Sequence, residues 1–363
     1  MKPTICLTGT HLTPTLALIE KLKAENLSTF YLGRKTLTEQ TLLPELNVKL
    51  FSIISPKLNR HQPLTLVTNI LKLPIGLIQS IYLLKKLKAT VIVSFGGHVA
   101  IPVCLAGKLL NIPIIIHEQT FAAGLTSKIT ALLAKKIAVS WPASQKHFPA
   151  KKTVLTGNLV RSKILTTKRT SSQQKTLYIT GGNQGSRAIN STVNQVLKSL
   201  LQQYTIYHQF GMSQSAKNWQ QQLKIHNSLP KNLKSKYHLK KWFSEQELSK
   251  ILSIANLAVT RSGINIVTEL AFLKTPALLI PIPITQKNEQ LVNANYLKDL
   301  GLASILKQSA LTPESLLSNI QSSLNSLPKK SKLEVKFNHQ LVQQATNNLY
   351  QLIQAEINEE KEN

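Results

Sequence analysis

Tyr178-Ile179-Thr180-Gly181-Gly182-Asn183-Gln184-Gly185-Ser186-Arg187 is the stretch that decides the fold. A short apolar strand breaks into a glycine-rich turn and restarts as a helix near Ala188. That is the strand–turn–helix unit of a parallel α/β sheet. Glycine opens backbone conformations closed to other residues and lets a ligand approach the main chain, and the N–H groups and positive dipole end of the following helix attract an anion. Such turns also serve simply to pack a helix on a sheet, so alone this one leaves phosphate binding and packing both open. A second turn lies in Val259-Thr260-Arg261-Ser262-Gly263-Ile264-Asn265-Ile266-Val267-Thr268-Glu269, again strand, small-residue bend and helix. There Glu269 either complements the helix dipole or accepts hydrogen bonds from vicinal ribose hydroxyls, as carboxylates do beside nucleotide phosphates in open α/β sheets. Two such turns in one domain favour a nucleotide diphosphate over a bare phosphate.

The pattern around these turns alternates strand and helix. Residues 4–8 read as a strand and 13–24 as a helix, while Val91-Ile92-Val93-Ser94 and Ile114-Ile115-Ile116 are continuous apolar runs, as in parallel strands buried on both faces. The second half repeats this with strands near 176–180, 205–209, 256–260 and 277–281. Between the halves, Ser162-Lys163 and the polar run 166–175 lack an apolar period and read as a linker. At 363 residues the chain exceeds one ordinary domain. The expected architecture is α/β: two Rossmann-like domains, 1–162 and 163–340, with parallel sheets facing a central cleft, then a C-terminal helix and tail over 341–363. Residues 333–355 read as a polar helix and Glu359-Glu360-Lys361-Glu362-Asn363 as a frayed end.

Forty-four Lys and Arg stand against 16 Asp and Glu, a formal net charge of +28. Nucleic acid is disfavoured as the partner, because the basic residues are spread along the chain with no zinc finger, RNP-type aromatic motif or recognition helix. Anionic lipid head groups suit better, and a general lysine bias is the alternative. The run from Leu64 to Leu84 is apolar but carries Asn69, Lys72, Pro74 and Gln79, a poor transmembrane span. Followed by Lys85, Lys86 and Lys88, it reads either as an interfacial segment or as an ordinary core helix. Asp299 is the only aspartate, and outside the tail the only close glutamates are Glu245 and Glu247 at a helix start. Paired carboxylates that hold a divalent metal against a diphosphate are therefore not expected, and no metal or cofactor is called for. Cys6 and Cys104 lie in apolar runs without metal spacing and read as buried thiols of a reduced compartment. Thr4-Ile5-Cys6-Leu7 enters directly into a strand, so no signal peptide is expected.

Five blocks then fall in the order of one known family. His117-Glu118-Gln119-Thr120, Gly124-Leu125-Thr126-Ser127-Lys128, Thr156-Gly157-Asn158-Leu159-Val160-Arg161, Gly181 to Arg187, and Arg261-Ser262-Gly263 through Glu269 resemble the MurG family of peptidoglycan glycosyltransferases, glycosyltransferase family 28. The resemblance covers roughly residues 4–305. It implies a two-domain GT-B fold, and inverting transfer of N-acetylglucosamine from UDP-GlcNAc to lipid I on the cytoplasmic face of the bacterial membrane. It implies that Glu269 holds the ribose, that Ile264, Asn265, Ile266, Val267 and Thr268 line the nucleotide, and that Arg161 reaches the donor. Gln290 takes the place of the glutamine that bonds the sugar hydroxyls. Ser244 takes the place that offers backbone atoms to uracil, and Asn183 that of a serine on the phosphate.

The resemblance also gives Thr8, Gly9, Thr10 and Thr120 to substrate binding, while the first loop, Leu7-Thr8-Gly9-Thr10-His11-Leu12-Thr13-Pro14, departs from the family by lacking some of its glycines, with Leu7 and Thr10 restricting the backbone. Thr120 replaces an asparagine, and His98 a tyrosine. His11 is the first candidate for the base that deprotonates the acceptor, since imidazole titrates near neutrality; His117 and Glu118 are the alternatives. A different lipid acceptor, such as a diacylglycerol, or a nucleotide-sugar-binding paralogue without transfer activity, remain the other readings.

Overall fold

The computed structural model describes residues 2–56, 72–170, 174–326 and 337–362. The chain divides into two compact units, Met1–Arg161 with His339–Asn363, and Ser162–Asn338.

The first unit runs β1 (Thr4–Gly9), α1 (Leu12–Ala24), β2 (Ser28–Gly33), α2 (Leu37–Glu45), β3 (Lys49–Ser52), α3 (Lys72–Lys86), β4 (Val91–Phe95), α4 (Ala100–Leu109), β5 (Ile114–Glu118), α5 (Leu125–Leu133), β6 (Lys136–Val139), α6 (Pro142–Gln145) and β7 (Thr153–Leu155). Its seven strands are ordered β3-β2-β1-β4-β5-β6-β7, all pairs parallel. The strand order reverses between β1 and β4, the switch point where open α/β sheets bind ligands outside the carboxyl ends of their strands. Every residue of β4 and β5 is buried, which is why both read as unbroken apolar runs.

The second unit contains α7 (Ser162–Thr166), β8 (Thr176–Thr180), α8 (Arg187–Gln203), β9 (Thr205–Gln209), α9 (Ala216–Asn227), α10 (Lys231–Lys234), β10 (Tyr237–Lys240), α11 (Glu245–Ile254), β11 (Leu257–Thr260), α12 (Ile264–Leu273), β12 (Ala277–Leu279), α13 (Glu289–Asp299), β13 (Ala303–Ile305) and α14 (Pro313–Ser326). Its sheet is β10-β9-β8-β11-β12-β13, again parallel, with the reversal between β8 and β11. Helix α8 shows why the local sequence folds this way. Ile189, Val193, Val196, Leu197, Leu200 and Leu201 recur at helical spacing and are all buried. Each such side chain contributes about 1.5–3 kcal/mol of burial.

Two expectations change. Ser162–Thr166, read as linker, is a short helix whose start is held from a distance: Glu245 Oε1 accepts hydrogen bonds from Ser162 Oγ (3.2 Å) and Lys163 N (2.8 Å). The C-terminal helix α15 (His339–Glu362) belongs to the first unit and continues through the segment read as frayed. Its end is pinned because Lys135 Nζ lies 2.7 Å from the buried Glu356 and 2.6 Å from Glu359. It also lies so close to Gly157 that a Cβ there would come within 2.6 Å of the Leu341 carbonyl, where Gly157 itself adopts φ +92°. Of the segments that the sequence marks as helix, linker or tail, residues 64–71, 171–173 and 333–336, together with Asn363, lie outside the described residues.

Candidate functional site

In the second unit the glycine turn follows β8 at the switch point. Gly181 is obligatory, since a Cβ there would sit 2.1 Å from Ser186 N, and Gly185, at φ +81°, leaves no room beneath the Phe210 carbonyl. Ser186 caps α8 by accepting from Ile189 N at 3.4 Å. The turn therefore presents half-buried Gly181, Gly182 and Asn183 at a helix N-terminus. The Asn183 carbonyl accepts from Met212 N, while its side chain makes no hydrogen bond among the described residues, leaving a carboxamide for a ligand.

Arg261, the first residue after β11, brackets this region. Buried at 8% exposure, its guanidinium donates to Ser186 Oγ (2.7 Å), Ile280 O (2.9 Å), Pro281 O (3.3 Å) and Gln308 Oε1. It thus ties the turns after β8, β11 and β12 together, and burial lowers its pKa from the ordinary arginine value. The sequence carried this residue only as part of a motif; its bracketing role became visible with the fold. Arg261→Lys, which keeps the charge but not the fork, is expected to destabilise the protein by about 2–4 kcal/mol, the loss of one or two charge-assisted bonds. Urea unfolding of the variant measures this, and donor KM is expected to rise with it.

Further along, Ser262 Oγ donates to Gln290 O (2.6 Å) and Asn293 Nδ2 to Ser262 O (3.0 Å), stapling the start of α13 to the second turn. Gln290 Oε1 accepts from Ile282 N at 3.1 Å, so its side-chain NH2 remains for a ligand. Lys287 and Asn288, just before, both hold left-handed backbone, a conformation that non-glycine residues adopt at functional loops. Within α12, Asn265 and Ile266 are half-buried, whereas Ile264, Val267, Thr268 and Glu269 are buried; Thr268 Oγ1 donates back to Ile264 O. Glu269 lies in the second turn of the helix, and no acid occupies the first. The helix-dipole reading needs a carboxylate in the first turn, where that effect is confined.

Ser244 stands at the start of α11. Its N–H donates to Glu247 Oε2 (3.0 Å), its hydroxyl accepts from Glu247 N (3.3 Å), and its carbonyl accepts from Leu248 N (2.8 Å). These bonds form a capping box that starts α11 and leave the Ser244 carbonyl a second lone pair.

In the first unit, the loops after β1, β4 and β5 gather at the other switch point. Gly9 bends at φ +145° against Phe95, and Tyr31 OH donates to its carbonyl at 2.6 Å. Thr8 is fully buried and its hydroxyl donates to Leu32 O, bridging β1 and β2. Thr10 is accommodated by Gly97, where an added Cβ would come within 2.2 Å of Thr10 Oγ1, so the side chain gained in one loop fills the space of the one missing in the other. His98 Nε2 lies 3.5 Å from Arg34 Nη1.

Glu118 is fixed by Thr120, whose N–H (2.9 Å) and hydroxyl (2.7 Å) both donate to Oε1. Thr120 is buried beside it. The loop is braced further by Trp141 Nε1 donating to Gln119 O and Ser144 Oγ to Thr120 O. His11 stands at the N-cap of α1 without a side-chain cap bond; burial lowers its pKa from the ordinary histidine value, and the charge of nearby Glu118 partly offsets that. His117 is different. Its Nε2 donates to Gly157 O (3.2 Å), its Nδ1 accepts from Gln119 Nε2 (3.3 Å), and burial pushes its pKa down to about 4. With both ring nitrogens engaged, His117 is a structural residue. Arg161 is buried at 8% exposure at the end of the unit.

Known proteins match along most of the chain. The glycosyltransferase family 28 N-terminal domain matches residues 4–139 and the C-terminal domain residues 176–349. UDP-N-acetylglucosamine–N-acetylmuramyl-(pentapeptide) pyrophosphoryl-undecaprenol N-acetylglucosamine transferase of Lachnospira eligens is 31% identical, over 86% of this chain and 88% of its own. The protein of the same name from Clostridium kluyveri is 31% identical over 95% of this chain and 96% of its own. The crystal structure of Acinetobacter baumannii MurG is 26% identical with a TM-score of 0.63, covering 96% of this chain and 95% of that one. The calicheamicin glycosyltransferase CalG4, at 12% identity and a TM-score of 0.67, shares the fold. With both of its domains matched in order around these loops, the chain belongs to glycosyltransferase family 28.

Proposed function

We propose that the protein is an N-acetylglucosaminyltransferase that moves N-acetylglucosamine from UDP-GlcNAc to lipid I, forming lipid II for peptidoglycan. The observation that carries this is the paired turns at the switch point of the second unit, Gly181–Ser186 and Arg261–Gly263, with Glu269 in the helix that follows. The turn backbone and the α8 dipole take the diphosphate, Glu269 the ribose, the Gln290 amide the sugar hydroxyls, and the Asn183 carboxamide a phosphate oxygen. In the same reading Arg161 contributes positive charge to the donor. As the acceptor hydroxyl attacks the anomeric carbon, its proton passes to His11, the C1–O bond to UDP breaks, and UDP leaves with the electron pair; one displacement inverts the anomeric centre. A lowered His11 pKa keeps the imidazole neutral and ready to accept that proton. In the test, UDP release is expected only when UDP-GlcNAc and a short-chain lipid I analogue are both present, and not with UDP-glucose. Release with a diacylglycerol in place of lipid I would overturn the acceptor assignment.

The same reading places the protein peripherally on the cytoplasmic membrane face. Among the described residues no helix is long and apolar enough to cross a membrane. Helix α3 instead has two faces. Gly76, Ser80 and Leu84 pack inward, while Ile75, Ile78 and Tyr82 are exposed at 47%, 68% and 58%. Lys85, Lys86 and Lys88 follow, the composition of a helix lying in an anionic interface. Lys85/Lys86/Lys88→Ser is expected to weaken binding to phosphatidylglycerol vesicles about 100-fold, from ~1 kcal/mol per lysine, as read by co-sedimentation. Unchanged binding would remove this surface from membrane contact.

A further inference from the structure

A cavity of about 360 Å³ opens at the amino ends of β1–β3, the end of the first sheet opposite the loops described above. Its cause is in the register. Ser28 and Thr29 pair with Thr4 and Ile5 of β1, but pairing between β2 and β3 begins only at Phe30 and Lys49. The chain leaving α2 turns through Leu46 and left-handed Asn47, whose N–H groups bond back to Leu43 and Pro44, so β3 starts late and a gap is left under the sheet. The lining is mixed: Ile19, Leu27, Leu46 and Leu87, with Phe30 and Phe51 in edge contact at 6.2 Å, share it with Thr4, Ser28, Thr29 and Asn47. Two exposed cations, Lys23 from the last turn of α1 and Lys49 from the start of β3, also line it, and neither makes an ion pair among the described residues. The volume is within the ~300–1,000 Å³ of small-molecule sites.

An open cleft that joins an apolar strip of Leu27, Leu46, Phe51 and Leu87 to two cations without ion pairs among the described residues matches an apolar chain ending in an anion. We infer that this cavity binds a monomeric fatty-acid-like carboxylate, the chain along Leu27, Leu46, Phe51 and Leu87 and the carboxylate on Lys23 and Lys49. Since Lys23 and His11 stand at opposite ends of α1, the site is remote from the candidate transfer machinery.

The test uses the full-length protein and dodecanoate below its micelle threshold, read by displacement of a fluorescent naphthalene sulfonate and by Tm. Dodecanoate is expected to displace the probe and raise Tm. Lys23→Gln with Lys49→Gln is expected to weaken dodecanoate about tenfold while leaving the Tm of the free protein and the binding of dodecanol unchanged. Ser28→Trp, a substitution at an exposed position on the cavity wall, is expected to block both ligands. No binding, binding indifferent to the lysine pair, or binding that survives Ser28→Trp would each overturn the inference. So would binding seen with anionic phospholipid vesicles but not with monomeric dodecanoate.

Discussion

Glu269→Ala is expected to weaken UDP-GlcNAc binding by 10²-fold or more, taking two charge-assisted hydrogen bonds to ribose hydroxyls at ~1.5–3 kcal/mol each. The carboxylate is fully buried in the second turn of α12, beyond reach of the helix-dipole role. A buried carboxylate is costly to keep, and ribose recognition gives that cost a function. Glu269→Gln separates binding from packing: it preserves volume and one acceptor, so it is expected to keep the Tm near that of the parent yet lose most donor affinity. Calorimetric titration with UDP-GlcNAc reads the loss. Full affinity in Glu269→Gln would return Glu269 to a structural role.

His11→Ala is expected to lower kcat by about 10²–10⁴-fold, the usual weight of a positioned base, with donor affinity unchanged because the proposed contacts to the diphosphate, ribose and sugar come from other residues. The pH profile gives a finer test. Burial lowers the His11 pKa and Glu118 raises it in part. The base acts when neutral, so activity should rise with pH through a pKa below the ordinary histidine value and then level off. Glu118→Gln removes the raising influence, so its acid limb should shift to lower pH. A shift to higher pH, or no shift, would uncouple the two residues. Thr120→Val, which takes the hydroxyl from Glu118 Oε1, is expected to change the acid limb before it changes donor affinity.

Much of this architecture was legible because parallel strands buried on both faces leave an unmistakable residue pattern. Val91–Val93, Ile114–Ile116 and Leu177–Ile179 are apolar without interruption because the strands that contain them are wholly buried. The first glycine turn was legible too, since Gly181 and Gly185 hold positions where any side chain would collide. What escaped depends on partners distant in sequence. Helix α7 exists through Glu245, more than eighty residues away, and α15 returns to the first unit through Lys135 and Gly157, neither of which its own period announces. Thr8 and Thr120 matched motif positions, and their hydroxyls donate to Leu32 O and Glu118. Ser244 starts a capping box whose Ser-x-x-Glu spacing stood in the sequence as a helix-start signal. Arg261 shows the converse: a motif residue whose work, joining three strand-end turns, appears only when those turns are brought together.

The most direct test of the central claim is transfer of radiolabelled N-acetylglucosamine from UDP-GlcNAc to a short-chain lipid I analogue, with Glu269→Ala run beside the parent. Labelled lipid II analogue from the parent, lost in the variant, is the predicted result. A parent that binds UDP-GlcNAc but forms no labelled product would contradict the account.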